Sequence, residues 1–124
     1  TVMGWFNAFV FTQAVEVPLY VLAMRHALRG GHSRQPRALG WQIALAFGAS
    51  AITHPMVWFV IPDIPSSSYA EYVIRAETWA VMVEAFYFYS FHVVFLRRAF
   101  VWALVANGLS AGLGFVSRYL FGWP

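Results

Sequence analysis

Four apolar stretches, each of roughly 20 residues, constrain this chain more than any other feature. They cover approximately residues 4–24, 39–61, 73–96 and 99–121. As α-helices they are long enough to cross about 30 Å of hydrocarbon, since a helix rises about 1.5 Å per residue. An unpaired backbone is costly in lipid, so helices are the conformation we expect. We therefore predict an all-α, polytopic membrane protein, with residues 1–124 forming a single bundle of four transmembrane helices joined by short loops.

The composition agrees with a lipid environment. Hydrophobic residues make up 60% of the chain, charged residues only 10%, and the mean hydropathy is +0.61. A soluble domain is usually about a quarter charged, so the bilayer is the expected surrounding. The net charge of +3 could suggest a nucleic-acid partner, but the basic residues lie between apolar stretches and form no patch. Cysteine is absent, which excludes disulfides and thiolate metal sites.

The arginines predict an orientation. Six of the eight basic residues lie in the two connections at one end of the predicted bundle, between the first and second stretches and between the third and fourth. They are Arg25, Arg29, Arg34, Arg37, Arg97 and Arg98. The positive-inside rule puts that side in the cytoplasm. Segment 25–38 is then cytoplasmic, whereas both termini and segment 62–72 face outward. Every basic residue is Arg and none is Lys, which favours a GC-rich bacterial genome and hence a bacterial inner membrane.

Polar residues within the apolar stretches are the best candidates for function, because an ionisable group at a helix centre costs about 2.5–3.5 kcal/mol on insertion scales. Glu16 and Glu84 lie near the middle of the first and third stretches. His54 and Asn107 lie in the second and fourth, and Gln13 shares a helical face with Glu16. If these faces point inward, the side chains converge in one layer.

Two interpretations of this layer remain open. Carboxylates and imidazole bind divalent cations, and two crowded carboxyls can share a proton, so Glu16, His54 and Glu84 could form an ion or proton site. The favoured alternative is a neutral hydrogen-bonded network that includes Asn107 and holds the bundle together. The sequence does not decide between them.

Glu77 and Arg118 fall at similar depths in the third and fourth stretches. Opposite charges at matched depth predict an ion pair between the two helices. The alternative is that Arg118 extends to the lipid headgroups.

His54 and His92 are also candidate ligands for a metal or a macrocycle. Single histidines on membrane helices can ligate haem or a chlorophyll-type pigment, and small residues beside His54 would leave space for one. The favoured alternative is that each histidine is a hydrogen-bonding partner. Haem, pigment and a divalent cation therefore all remain candidate cofactors.

Small residues predict close helix packing in the fourth stretch. Gly108 and Gly112 form a G-x-x-x-G motif, and Ser110 and Gly114 form a second small pair. Such surfaces let helix backbones approach closely in lipid. Packing of the fourth helix on the second, within the chain, is favoured over packing on another subunit.

The sequence contains none of the common nucleotide-binding, metalloprotease or hydrolase motifs, so an enzyme is disfavoured. The expected function is a small non-catalytic subunit that packs on and stabilises a larger membrane assembly, of respiratory or pigment-containing type. The alternative is a small oligomeric transporter, or an ion- or proton-binding protein that uses the Glu16–His54–Glu84 layer. The expected partners are other membrane subunits or further copies of the chain.

Overall fold

Four α-helices run antiparallel to their chain neighbours in the computed structural model, which describes residues 2–31 and 38–124. They are α1 (Val2–Arg29), α2 (Leu39–Phe59), α3 (Tyr69–Ser90) and α4 (Leu96–Phe121). A short 3-10 helix, Ile61–Asp63, follows α2. The prediction of four helices is confirmed, and the described residues contain no strand. Arg34 and Arg37, which contributed to the predicted orientation, lie outside the described residues.

Three of the helices are long and apolar enough to cross a membrane: α1, α4, and α2 together with the 3-10 helix. They indicate an integral membrane protein. Helix α3 does not meet the same standard, because it carries Glu71, Arg75, Glu77 and Glu84. Large apolar side chains are exposed on all four helices, among them Phe6, Leu22, Phe47, Ile74, Met82 and Leu104. An apolar surface of this extent is characteristic of a lipid-facing protein.

The helices are arranged around a square in chain order. Backbones approach closely between α1 and α2, α2 and α3, α3 and α4, and α4 and α1, but not across either diagonal. The predicted packing of α4 on α2 is therefore wrong, because these helices lie on a diagonal. Gly108 and Gly112 instead face open space. Ser110 points into the bundle, and Gly114 lies beside the Phe11 ring of α1.

Alanine lets the helices pack closely. The buried core includes Ala27, Ala46, Ala49, Ala85, Ala99, Ala103 and Ala106. A small side chain at each contact brings the backbones together, and dispersion forces then stabilise helix association in lipid. Larger buried side chains, Tyr20, Met24 and Phe88, fill the half of the bundle near the end of α1. The rings of Tyr20 and Phe88 lie 4.6 Å apart.

Helix α3 begins and ends differently from the prediction of a span over 73–96. It begins at Tyr69, where the Ser68 side chain accepts a hydrogen bond from the Glu71 amide, as expected of a helix N-cap. It ends at Ser90 because the chain turns at His92, whose φ is +57°. The Val93 amide then bonds the Phe88 carbonyl and the His92 amide bonds the Tyr89 carbonyl, which is the Schellman arrangement.

This turn changes the surroundings of three predicted residues. His92 is an exposed turn residue, and its predicted position within a membrane helix is wrong. Arg97 and Arg98 belong to the first turn of α4 and not to the connection itself. They lie at the same end of the bundle as Arg25 and Arg29, because α1 ends where α4 begins. We call this end of the bundle the basic end, and the opposite end the open end.

Gly48 gives a test of the helix packing. A Cβ atom at this position would lie 2.5 Å from the Tyr87 hydroxyl oxygen, which donates a hydrogen bond to the Leu45 carbonyl at 2.8 Å. We expect Gly48→Ala to lower the free energy of unfolding by about 1–3 kcal/mol, the usual cost of overpacking. The measurement is thermal unfolding in detergent.

Gly108→Ala is the matched control, because a Cβ there meets nothing within 4 Å. It should be neutral or stabilising by up to about 1 kcal/mol, the helix-propensity gain of Ala over Gly. Adding Tyr87→Phe to Gly48→Ala should recover part of the loss. Equal effects of the two alanine substitutions would contradict the packing of α2 on α3.

Candidate functional site

Glu84 of α3 lies at the centre of the bundle and is fully buried. One carboxyl oxygen accepts a hydrogen bond from the Tyr20 hydroxyl of α1 at 3.0 Å. The other accepts from the Asn107 side-chain amide of α4 at 2.8 Å. Asn107 also donates to the Ala103 carbonyl one turn earlier, at 2.9 Å, which fixes the orientation of its amide. Helices α1 and α4 thus hold the Glu84 carboxyl from two sides.

Glu16 of α1 is held in the same way by two hydroxyls. Ser110 of α4 donates to one carboxyl oxygen at 2.7 Å, and Ser50 of α2 donates to the other. The carboxyl groups of Glu16 and Glu84 are close enough to interact electrostatically. We call these six residues the carboxyl network: Glu16, Tyr20, Ser50, Glu84, Asn107 and Ser110. It includes side chains from all four helices.

The structure brings together part of the predicted layer. Glu16, Glu84 and Asn107 meet in the carboxyl network, but His54 forms no hydrogen bond with either carboxyl. Gln13 forms no hydrogen bond with the network; its side-chain amide donates to the Phe47 carbonyl of α2 at 3.1 Å, and its side-chain oxygen has no partner.

Two members of the network, Tyr20 and Ser50, were not among the predicted site residues. Tyr20 lies four residues after Glu16, so it shares a helical face with that carboxyl. That spacing was a usable signal in the sequence. Ser50 gives no such signal, because a serine in an apolar helix is also typical of close helix packing.

His54 lies toward the open end, among aromatic rings. The rings of Phe9, Trp5 and Trp58 lie 5.4, 6.3 and 6.3 Å from the imidazole. Its Nε2 atom is 3.4 Å from the Thr12 hydroxyl, whereas Nδ1 is buried without a partner. The imidazole is therefore an enclosed polar group at the side of the bundle.

Within the described residues, no group of three or more His, Asp or Glu side chains is placed to hold a metal ion. The predicted cation layer of Glu16, His54 and Glu84 is not assembled, because the imidazole lies apart from the two carboxyls. His92 lies in a turn at the basic end, whereas His54 lies toward the opposite end of the bundle. The carboxyl pair remains as the central ionisable unit.

A cavity of about 220 Å³ opens from the open end into the space between the helices. Its deep part is lined by Glu16, Asn107 and Ser110, so it reaches the carboxyl network. The walls nearer the surface include Trp58, Tyr69, Tyr72 and Phe115. The opposite half of the bundle is filled by Tyr20, Met24 and Phe88. A pocket therefore reaches the polar side chains of the network from one end of the bundle.

Glu77 and Arg118 both line this cavity, but they do not form the predicted ion pair. The Arg118 guanidinium donates instead to the backbone oxygen of Pro124 at 3.0 Å. One carboxyl oxygen of Glu77 is buried without a hydrogen-bond partner. The cavity wall thus carries a polar atom that is free to bind a ligand or water.

The start of α3 forms the rim of the open end. The Glu71 carboxylate accepts hydrogen bonds from the side chain and the backbone amide of Ser67 and pairs with Arg75 at 2.7 Å. Hydrogen bonding by Ser67 lowers the pKa of the exposed Glu71 carboxyl below its usual value. Arg75 also donates to the Ile64 and Pro65 carbonyls, so it fastens the preceding loop to the helix.

The contribution of the network to stability can be measured at Ser110. Ser110→Ala removes one of the two hydroxyl donors to the buried Glu16 carboxyl, so we expect a loss of about 1–2 kcal/mol in the free energy of unfolding. Ser117→Ala is a matched control on the same helix, since its hydroxyl bonds the Trp123 carbonyl in an exposed position. Similar losses for the two variants, measured by thermal unfolding, would contradict a stabilising network.

Comparison of the chain with family models, with curated proteins and with solved structures gives no match. Function therefore has to be inferred from the geometry of the described side chains.

Proposed function

We propose that this chain is a small ion- or proton-binding membrane protein, in which all four helices span the bilayer and the Glu16–Glu84 carboxyl pair is the binding group. The observation that carries the proposal is a cavity that reaches the buried carboxyl network from one end of the bundle. Buried ionisable groups in membrane helices are functional candidates by default, because they are costly to insert.

A transmembrane α3 is compatible with its charges. Glu84 is buried and hydrogen-bonded inside the bundle, and Glu77 faces the cavity. Glu71 and Arg75 pair with one another at the start of the helix. Each charge is thus directed inward or placed at an end, and the lipid-facing side includes Ile74, Met82 and Phe86.

The carboxyl pair is suited to hold one proton. Two carboxylates close together in a buried site repel one another strongly, so a single shared proton is the favourable state. The hydrogen bonds from Tyr20, Asn107 and the two serines stabilise the remaining negative charge. Water in the cavity would let that proton, or a small cation that replaces it, exchange with one side of the membrane.

A second candidate function is the non-catalytic subunit. It is favoured by Gly108 and Gly112, which lie on an outward face of α4 with open space around them. Exposed small residues of this kind are typical of helix–helix interfaces in membranes. The partner would be another membrane subunit or a second copy of the chain. A monomer that purifies without any partner would remove the support for this candidate.

Infrared spectroscopy tests the shared proton. In the wild-type protein, reconstituted in lipid, we expect a carboxylic-acid C=O band at neutral pH that shifts within minutes of transfer to D₂O, because the cavity admits water. Glu16→Gln and Glu84→Gln should each remove or shift this band. The band should survive Glu71→Gln, which alters an exposed carboxyl of the same helix as Glu84.

The absence of a carboxylic-acid band in the wild-type protein would contradict the proposal. So would a band that is unchanged in both Glu16→Gln and Glu84→Gln. Circular dichroism of each variant provides the check that the four helices remain folded.

A further inference from the structure

Gln42 is an unexplained polar residue at the basic end, far from the carboxyl network. It lies near the start of α2, is 1% exposed, and has no hydrogen-bond partner for either its amide nitrogen or its side-chain oxygen. A buried amide without partners is unfavourable, and nearly all such groups in native proteins are satisfied. The residue therefore points to a ligand that supplies the missing bonds.

A cavity of about 100 Å³ lies against Gln42 and is lined by Arg25, Leu28 and Arg29 of α1. The two arginines are four residues apart, so they lie on one face of the helix. Among the described residues, the one salt bridge is between Arg75 and Glu71, near the opposite end of the bundle. The arginines of this cavity thus have no carboxylate to neutralise them in the part of the chain that the structure describes.

The start of α2 adds to the positive potential. Its N-cap residue, Ala38, makes no side-chain capping bond, and the first amides of a helix have no partner within the helix. The positive end of the helix dipole is therefore directed to the same region. Two guanidinium groups, a buried amide donor and a helix N-terminus together favour an anion with several acceptor oxygens.

We propose that this cavity, which we call the Gln42 site, binds a phosphate group. Arg25 and Arg29 would donate to its oxygens, as guanidinium groups do to phosphate in general, and the Gln42 side-chain nitrogen would donate from the buried side. The Gln42 oxygen accepts from a hydroxyl or ammonium of the molecule that carries the phosphate. The site lies at the bundle end, where a lipid headgroup and a soluble phosphate compound can both reach it.

The Gln42 site can be tested in dodecyl maltoside, a detergent that carries no phosphate. One arm adds dioleoyl phosphatidylglycerol, with dioleoylglycerol as the control that lacks the phosphate. A second arm adds inorganic phosphate, with chloride at equal ionic strength as its control. The measurement is the midpoint of thermal unfolding as a function of ligand concentration, since a ligand that binds the folded state raises it.

We expect the phosphate-bearing ligand, and not its control, to raise the midpoint of the wild-type protein. Arg25→Gln and Arg29→Gln should each weaken the response about tenfold or more, because each removes a charge-assisted bond. Gln42→Met keeps the length of the side chain but removes its polar atoms, so it should weaken the response without lowering the midpoint of the unliganded protein. Arg98→Gln, a charge change at the same end but outside this cavity, should alter the response less than twofold.

A response to phosphatidylglycerol alone identifies a lipid headgroup as the ligand, and a response to inorganic phosphate identifies a soluble one. No response to either overturns the proposal. Equal weakening of the response by Arg98→Gln and Arg25→Gln also overturns the proposal, because binding of the phosphate would then depend only on the overall charge of this end of the bundle. If Gln42→Met does not fold, the Arg25→Gln and Arg29→Gln variants, compared with the Arg98→Gln control, decide the question.

Discussion

The hydrogen bonds around Glu16 and Glu84 are the constraint on which the rest of the bundle depends. Inside hydrocarbon a polar group has no water to bond, so its partners must come from the protein. Two hydroxyls hold Glu16, and a phenol and an amide hold Glu84. Because these donors come from different helices, satisfying the carboxyls also fixes how the helices are rotated about their axes.

The two halves of the bundle are built differently on either side of this network. Toward the basic end, Tyr20, Met24 and Phe88 fill the interior. Toward the open end, the side chains do not fill the interior and leave the cavity that reaches Glu16. The proposed binding of an ion or proton from one face of the membrane requires such a pocket, closed on one side and open on the other. Passage across the membrane would require the filled half to rearrange.

The sequence was informative about properties that depend only on the order of residues along the chain. The length of each apolar stretch predicted the helices, and the cost of a buried charge singled out Glu16 and Glu84. The rotation of each helix about its axis and the helices that it packs against were not predictable, because they depend on three-dimensional packing. The predicted contact of the α4 glycines with α2 is therefore wrong. The end of α3 was missed because His92 takes the left-handed conformation that usually marks a glycine, and no glycine signalled the turn.

The most direct test of this account is whether α3 crosses the membrane, since Glu84 can join the network in hydrocarbon only if it does. The chain contains no cysteine, so single cysteines at Ser66 and Ser90, before and at the end of α3, can be labelled without background. Labelling uses a membrane-impermeant maleimide on sealed, oriented vesicles. The account predicts that one position reacts before lysis and the other only after it. Reaction of both positions from the same side would contradict it.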